Sequence, residues 1–254
     1  MLNGLYVAAS GMLQMEKKLD VISNNLANIN TAGFKMDTPT FDQYLKKENE
    51  FPYDAIRDSR YNQTINAVSK LSEIYTDFSA GNIRQTGNKF DFALNNKDVF
   101  FAVDTPFGIR FTRAGNFTID SDGYLVTQQG YKVLSRNVEN NEGIRIPNGN
   151  VEVLSNGNIT VDGAVLDTLY LVEFEDKTKL QKIGYNLFAA IDTLPVESEN
   201  PKLMQGYVEE SNINPVREMV NMIGTHRAFE TYQRVIRTID TLNERAANEL
   251  GKIG

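Results

Sequence analysis

The chain contains no cysteine and only one histidine, His226, among its 254 residues. Disulfides, thiol nucleophiles and zinc–thiolate sites are therefore excluded, and histidine triads or multi-imidazole metal sites lack their parts. Basic clusters are also missing. Lys and Arg number 26 against 33 Asp and Glu, a formal charge of −7, so no surface that tracks nucleic-acid phosphates is expected. No apolar run approaches the roughly 18 residues that cross a bilayer. The opening MLNGLYVAASGMLQMEKK lacks the basic and continuously apolar regions of a cleavable secretion signal. Neither a G-x-x-x-x-G-K-[ST] phosphate loop nor a G-x-S-x-G elbow occurs. What is present, 41% hydrophobic and 23% charged residues, is an ordinary soluble composition, enough for one or two domains with a sizeable core. No catalytic residues, cofactor, metal or small-molecule substrate are expected.

The ends of the chain carry a helical period. Leu5, Met12, Leu19 and Leu26 recur every seven residues, and Ala8, Met15, Ile22 and Ile29 follow three positions later. Such an a/d seam belongs to a helix that packs along another helix. The C-terminal region offers the partner, with Met222, Phe229, Ile236 and Leu250 on one heptad position and Tyr232, Ile239, Ala246 and Ile253 on the other; Asn243 interrupts the apolar set. Asn214 followed by Pro215 reads as an N-cap with proline at the first helical position.

Between the ends the period shortens to two. Val99–Val103, Ile109–Thr112, Phe117–Ile119, Tyr124–Thr127, Tyr131–Leu134, Val151–Leu154, Ile159–Val161, Leu169–Phe174 and Asn186–Ile191 read as strands, with hairpin dipeptides at Asp122-Gly123, Asn156-Gly157 and Asp162-Gly163. Closely spaced strands without intervening helices predict an antiparallel sandwich or small barrel. The expected class is α+β: long N- and C-terminal helices paired as a coiled-coil-like core, with a central antiparallel β domain. Residues 1–35 form the N-terminal core helix, 36–80 an extended linker, 81–205 the β domain and 206–254 the C-terminal core helix.

A helix of about 28 residues would be roughly 42 Å long, more than the middle domain can cover. Val7, Met219, Val220, Ile223, Val235 and Leu242 lie beyond the a and d positions and widen the apolar face past what one partner hides. The expectation is that the termini order fully only when many copies stack. The segment Ser23–Lys35 holds four asparagines, Asn24, Asn25, Asn28 and Asn30, which are poor helix formers. Either the helix frays there and closes with Gly33 at C′, or the amides hydrogen-bond between subunits.

Other candidates are weaker. Asp120-Ser121-Asp122-Gly123 opens like a calcium loop, but no glutamate closes it, so an aspartate-rich hairpin turn is expected. His226 is expected on the helix surface or at an interface. Glu209 and Glu210 should point to opposite faces of a strand, as a solvated acidic pair.

Three stretches resemble the bacterial flagellar rod and hook protein family. The first runs from Ala8-Ala9-Ser10-Gly11-Met12 through Leu19-Asp20 and Asn24-Asn25-Leu26-Ala27-Asn28 to Thr31, Gly33, Phe34 and Lys35. The second includes Thr86-Gly87-Asn88, Phe100-Phe101, Thr112-Arg113-Ala114-Gly115-Asn116-Phe117 and Gly123-Tyr124-Leu125-Val126. The third is Gly206–Asn214 with Glu218-Met219-Val220, Met222-Ile223 and Arg227-Ala228-Phe229-Glu230. Tyr75–Gly81 and Asn214-Pro215-Val216 are most similar to the proximal rod branch, with the distal rod branch second. Asn95-Asn96-Lys97-Asp98 stands where members often carry a glycine-containing turn, and Phe90 replaces a common leucine.

The resemblance implies a subunit that polymerises with itself in the periplasmic rod of the basal body. It implies contact with other rod proteins, the distal rod protein among them, and with the surrounding rings, and export through the flagellar type III apparatus without a cleavable signal. Leu5, Met12, Leu19, Ile22, Leu26, Phe229, Ile236 and Ile239 are the expected seam contacts, with Asn24, Asn25 and Asn28 as cross-subunit hydrogen bonders. From another class, a surface binding module on a coiled-coil stalk would show exposed aromatics on one sheet face. A glycan-cleaving enzyme would need two carboxyl groups about 5–10 Å apart in a cleft.

Overall fold

The computed structural model of the chain describes residues 2–43, 69–136 and 143–250. The chain forms two compact units and passes between them after residues 26, 36, 75 and 213.

The first unit is built on two helices, α1 (Leu2–Ala27) and α2 (Pro215–Leu250). Asn214 caps α2 as expected: its side-chain Oδ1 accepts from Arg217 N at 3.1 Å, and its carbonyl accepts from Glu218 N at 3.0 Å. An ideal Cβ on Gly11 would fall 2.6 Å from the Tyr232 ring, and one on Gly4 would fall 3.8 Å from Ile239 Cδ1. Residue 4 meets 239 and residue 11 meets 232, so the helices run antiparallel and facing numbers add to 243. On α2 the less exposed positions are Glu218, Met222, Thr225, Ala228, Phe229, Tyr232, Gln233, Ile236, Ile239, Asn243 and Ala246, which include the heptad positions read from the sequence from Met222 to Ala246. On α1 the best-buried positions are Ala8, Gly11, Ile22 and Asn25, so the buried stripe is rotated from the expected a positions toward d and its neighbour.

The linker expectation for 36–80 changes at its margins. β1 (Asp37–Gln43) and β2 (Ser69–Thr76) pair as a two-stranded sheet; the expectation for residues 44–68 lies outside the described residues.

Among its described residues the second unit contains sixteen more strands. In chain order they are β3 (Ile83–Gln85), β4 (Phe92–Leu94), β5 (Val99–Thr105), β6 (Gly108–Thr112), β7 (Thr118–Ile119), β8 (Leu125–Val126) and β9 (Lys132–Val133). A meander follows, β10 (Val151–Val153), β11 (Asn158–Val161) and β12 (Ala164–Thr168), then β13 (Leu171–Glu173), β14 (Leu180–Gly184) and β15 (Leu187–Ala190). The last three are β16 (Val196–Glu197), β17 (Leu203–Gln205) and β18 (Tyr207–Glu209). The main sheet runs β14-β15-β6-β5-β9-β8-β7, with β13 joining β5 to β16; β17 pairs with β4 and β18 with β3. The ladders are antiparallel, as the turn spacing predicts.

β5 is buried on both faces. Val99, Phe101 and Val103 enter one apolar cluster with Leu125, Ile144 and Leu169, while Phe100 and Ala102 enter another with Phe111, Val172 and Phe188. A continuous apolar run, VFFAV, is what a strand covered on both sides requires. Edge-to-face contacts of Phe100 with Phe174 and Phe188, at 5.7 and 5.9 Å between centroids, add directional packing.

Two expected boundaries move. Residues 27–36 belong to the second unit, and so do 206–213, of which 207–209 are strand β18. The helical stretch expected to 35 stops at Ala27. A turn follows in which Thr31 N donates to Asn28 O at 3.1 Å. Gly33 lies well past the helix end, so it is not its C′ residue. It adopts φ +67°, and a Cβ there would fall 2.3 Å from Ala114 N, which only glycine permits.

Candidate functional site

Lys35, Arg113 and Glu209 meet in the interior of the second unit. Lys35 Nζ donates to Glu209 Oε1 at 2.7 Å and to the Ser79 carbonyl at 2.6 Å. Arg113 Nε donates to Glu209 Oε2 at 2.8 Å, and Nη2 closes the fork on the same oxygen. Its remaining donors reach the carbonyls of Leu94, Asn96 and Val99. Gly81 N completes the carboxylate's shell at 2.9 Å. All three charged side chains are almost wholly excluded from solvent.

Two cations share one carboxylate, and the titration directions follow. Burial alone would push Glu209 up, but the Arg113 and Lys35 charges outweigh it and hold the carboxyl below its ordinary value. Burial lowers Lys35, and repulsion from Arg113 adds to that; the attraction of Glu209 offsets only part. A simple ion pair would raise the lysine; here burial is the larger effect, and the neighbouring Arg113 charge reinforces it.

This overturns the solvated-pair expectation for Glu209. Glu210 does stand on the exposed side, 2.7 Å from Arg84 Nε, and the opposite-faces part of the expectation holds. Burial of Glu209 required the partners at 35 and 113, which no local spacing reveals.

Around the cluster the chain is tied to itself. Gly33 N donates to the Glu209 carbonyl at 2.8 Å, and Lys182 Nζ donates to the Lys35 carbonyl at 2.8 Å while lying 3.6 Å from the Phe34 ring centroid. Met36 N donates to Asn212 Oδ1 at 2.8 Å, Asp77 N to the Met36 carbonyl at 2.8 Å, and Asn212 Nδ2 to the Asp77 carbonyl at 2.8 Å. Three stretches of backbone that lead into or out of the other unit are thus stitched together inside this one. Gly115 belongs to the same construction: a Cβ there would fall 1.7 Å from the Phe92 carbonyl.

The sequence-predicted seam residues lie in the helical unit. Ile22 is buried; Leu5, Met12, Leu19, Leu26, Phe229, Ile236 and Ile239 are half-buried. Asn24 is exposed and Asn28 half-buried, its Oδ1 accepting from the Thr31 hydroxyl at 3.2 Å. Asn25 differs from the expectation. It is 1% exposed, and its amide brackets one backbone position, with Nδ2 donating to the Asp37 carbonyl at 2.8 Å and Oδ1 accepting from Asp37 N at 3.0 Å. Its hydrogen bonds are made within the chain.

Asp120 forms the expected turn, its Oδ1 accepting from Asp122 N at 2.9 Å and Tyr124 N at 2.8 Å. His226 is exposed on α2, with Nδ1 3.6 Å from Glu230 Oε1.

Three family models match: "Flagella basal body rod protein" over residues 5–35, "Flagellar hook protein FlgE/F/G D1 domain" over 96–166 and "Flagellar basal body rod FlgEFG protein C-terminal" over 204–250. The chain is 32% identical to the flagellar basal-body rod protein FlgG of Bacillus subtilis, covering 98% of this chain and 99% of the relative. It is 32% identical to FlgG of Buchnera aphidicola from Schizaphis graminum over 95% and 97%, and 32% identical to the rod protein FlgF of Rhizobium meliloti over 99% of each. The chain belongs to the flagellar basal-body rod protein family. Each matched segment supplies one member of the buried cluster: Lys35 from the first, Arg113 from the second and Glu209 from the third. The rod-family signature, scattered along the chain, is thus gathered into one ionic knot.

Proposed function

We propose that this chain is a structural subunit of the flagellar rod, joined to its sister copies through α1 and α2 into the periplasmic shaft that carries torque to the hook. It performs no chemistry and takes no cofactor. The observation that carries the reading is apolar surface left on the helices: Val7, Met219, Val220, Ile223, Val235 and Leu242 are all exposed in the single chain, and neighbouring copies cover them. In this reading α1 and α2 pair as a coiled coil, Leu5, Met12, Leu19, Leu26, Phe229, Ile236 and Ile239 extend the contact to other copies, and Asn24 and Asn28 face the assembly. Asn25 acts indirectly, by fixing the path of the chain after α1. The β unit, closed as a sandwich or small barrel, is held by the buried ionic knot.

Within the family we favour the proximal rod, on the tract Tyr75–Gly81 and the helix start Asn214-Pro215-Val216. The distal rod protein, the other rod subunits and the ring proteins are its neighbours, and the flagellar type III apparatus exports it without a cleavable signal. The test is Leu19→Asp in a host whose own copy is replaced. A charge on a half-buried helix position cannot be desolvated without a partner, so motility is lost while the isolated protein keeps its β unit folded. Normal swimming contradicts the reading.

A further inference from the structure

Glycine weakens a helix interior, so each one there calls for a reason. Gly11 has its reason within the chain, because the Tyr232 ring fills the space a Cβ would take. Gly224, in the third turn of α2, shows none: beyond its own helix, nothing among the described residues lies within 4 Å of where its Cβ would stand. It sits beside Val216, Met219, Val220 and Ile223, which are 65, 46, 63 and 55% exposed. At 100° per residue this stripe lies about half a turn from Met222, Thr225 and Phe229, the positions turned toward α1. α1 has an outer stripe of its own, Tyr6 and Leu13, 54 and 56% exposed and half a turn from Ala8 and Ile22.

Resting on the reading that the rod grows by self-association, we infer that these two outer faces are mates. Tyr6 of one copy fills the notch at Gly224 of the next, as Tyr232 fills the notch at Gly11 inside each copy. With the helices antiparallel, Leu13 then lies level with residue 217, against Val216 and Val220. A parallel crossing with Tyr6 at Gly224 would instead bring Leu13 level with Thr231, beside the exposed Arg227 and Arg234, with Val235 as its apolar neighbour.

The geometry sets polarity and stagger. α1 and α2 are antiparallel within a copy, so an antiparallel contact between copies makes both point the same way. Residue 224 is level with residue 19 of its own α1, because facing numbers add to 243. Residue 6 of the neighbour therefore sits thirteen positions along, a stagger of about 20 Å at 1.5 Å per residue. The two faces belong to different helices, so the contact is head-to-tail and leaves a free mate at either end, the condition for an open filament.

The chain has no cysteine, which makes the test clean. Tyr6→Cys and Gly224→Cys proteins are mixed at a concentration where scattering grows, and oxidised. The expected product is a dimer linking position 6 of one variant to position 224 of the other, absent when Leu242→Cys replaces Gly224→Cys. Gly224→Leu should raise the concentration needed for growth at least tenfold with the unfolding midpoint of the β unit unchanged. Growth without the 6–224 link, or an unchanged threshold for Gly224→Leu, overturns this contact while leaving self-assembly standing. Failure of the wild-type chain to grow at any concentration takes down both.

Discussion

Lys35 Nζ lies 2.7 Å from Glu209 Oε1, across 174 residues of sequence. The contact joins the stretch that follows α1 to the strand that leads toward α2, and Arg113 closes it from the middle of the chain. Charges this deeply buried persist only when each is answered, because removing one partner leaves the others desolvated and uncompensated.

Glu209→Gln should therefore cost about 3–5 kcal/mol, since it strands two buried cations. Lys35→Met should cost less, because Arg113 still answers the carboxylate and the burial penalty on the lysine disappears. Urea unfolding followed by aromatic fluorescence ranks the two variants. Equal losses would mean that the anion is not the centre of the cluster.

The same cluster fixes the pH response. Glu209 has a folded-state pKa below the ordinary 4.5, so its contribution is present above 4.5 and is lost as pH falls through the depressed folded value. Lys35 is lowered from 10.5, so the unfolded chain binds more protons between its folded value and 10.5, and stability rises with pH there. Unfolding midpoints across pH should show an acid loss absent from Glu209→Gln and an alkaline gain absent from Lys35→Met.

Local patterns were legible in the sequence and distant meetings were not. The α2 stripe from Met222 to Ala246, the Asn214 cap and the strands around Val99–Val103 follow from periods and turn residues that a few neighbours carry. β3, β4, β17 and β18 are three residues each, and their partners lie far along the chain, so no local period announces them. Lys35, Arg113 and Glu209 were visible only as members of three separate motifs. Asn25 looked like an interface amide because its partner is a backbone position twelve residues on, and backbone has no sequence signature.

Helix glycines give a paired prediction. Gly11→Ala should destabilise the helical unit by about 1–3 kcal/mol through overpacking against Tyr232. Gly224→Ala in dilute monomer should stabilise it by up to about 1 kcal/mol, since helix propensity improves and the space is open. Thermal melts of helical circular dichroism at low concentration read both; a loss at Gly224 would mean the notch is occupied within the chain.

Asn25→Ala removes both hydrogen bonds to Asp37 and leaves a backbone N–H and carbonyl without those partners. The expected cost is about 1–3 kcal/mol. Faster hydrogen exchange at Asp37 N, with exchange in β5 unchanged, is the corresponding signature.

The central claim is that the helices of one copy are completed by the helices of others. Light scattering as a function of concentration tests it most directly, comparing the whole chain with a chain trimmed of residues 1–26 and 214–254. Growth of the whole chain above a threshold concentration, with none for the trimmed chain, is the predicted result. A whole chain that stays monomeric at every concentration, or a trimmed chain that grows equally well, would contradict it.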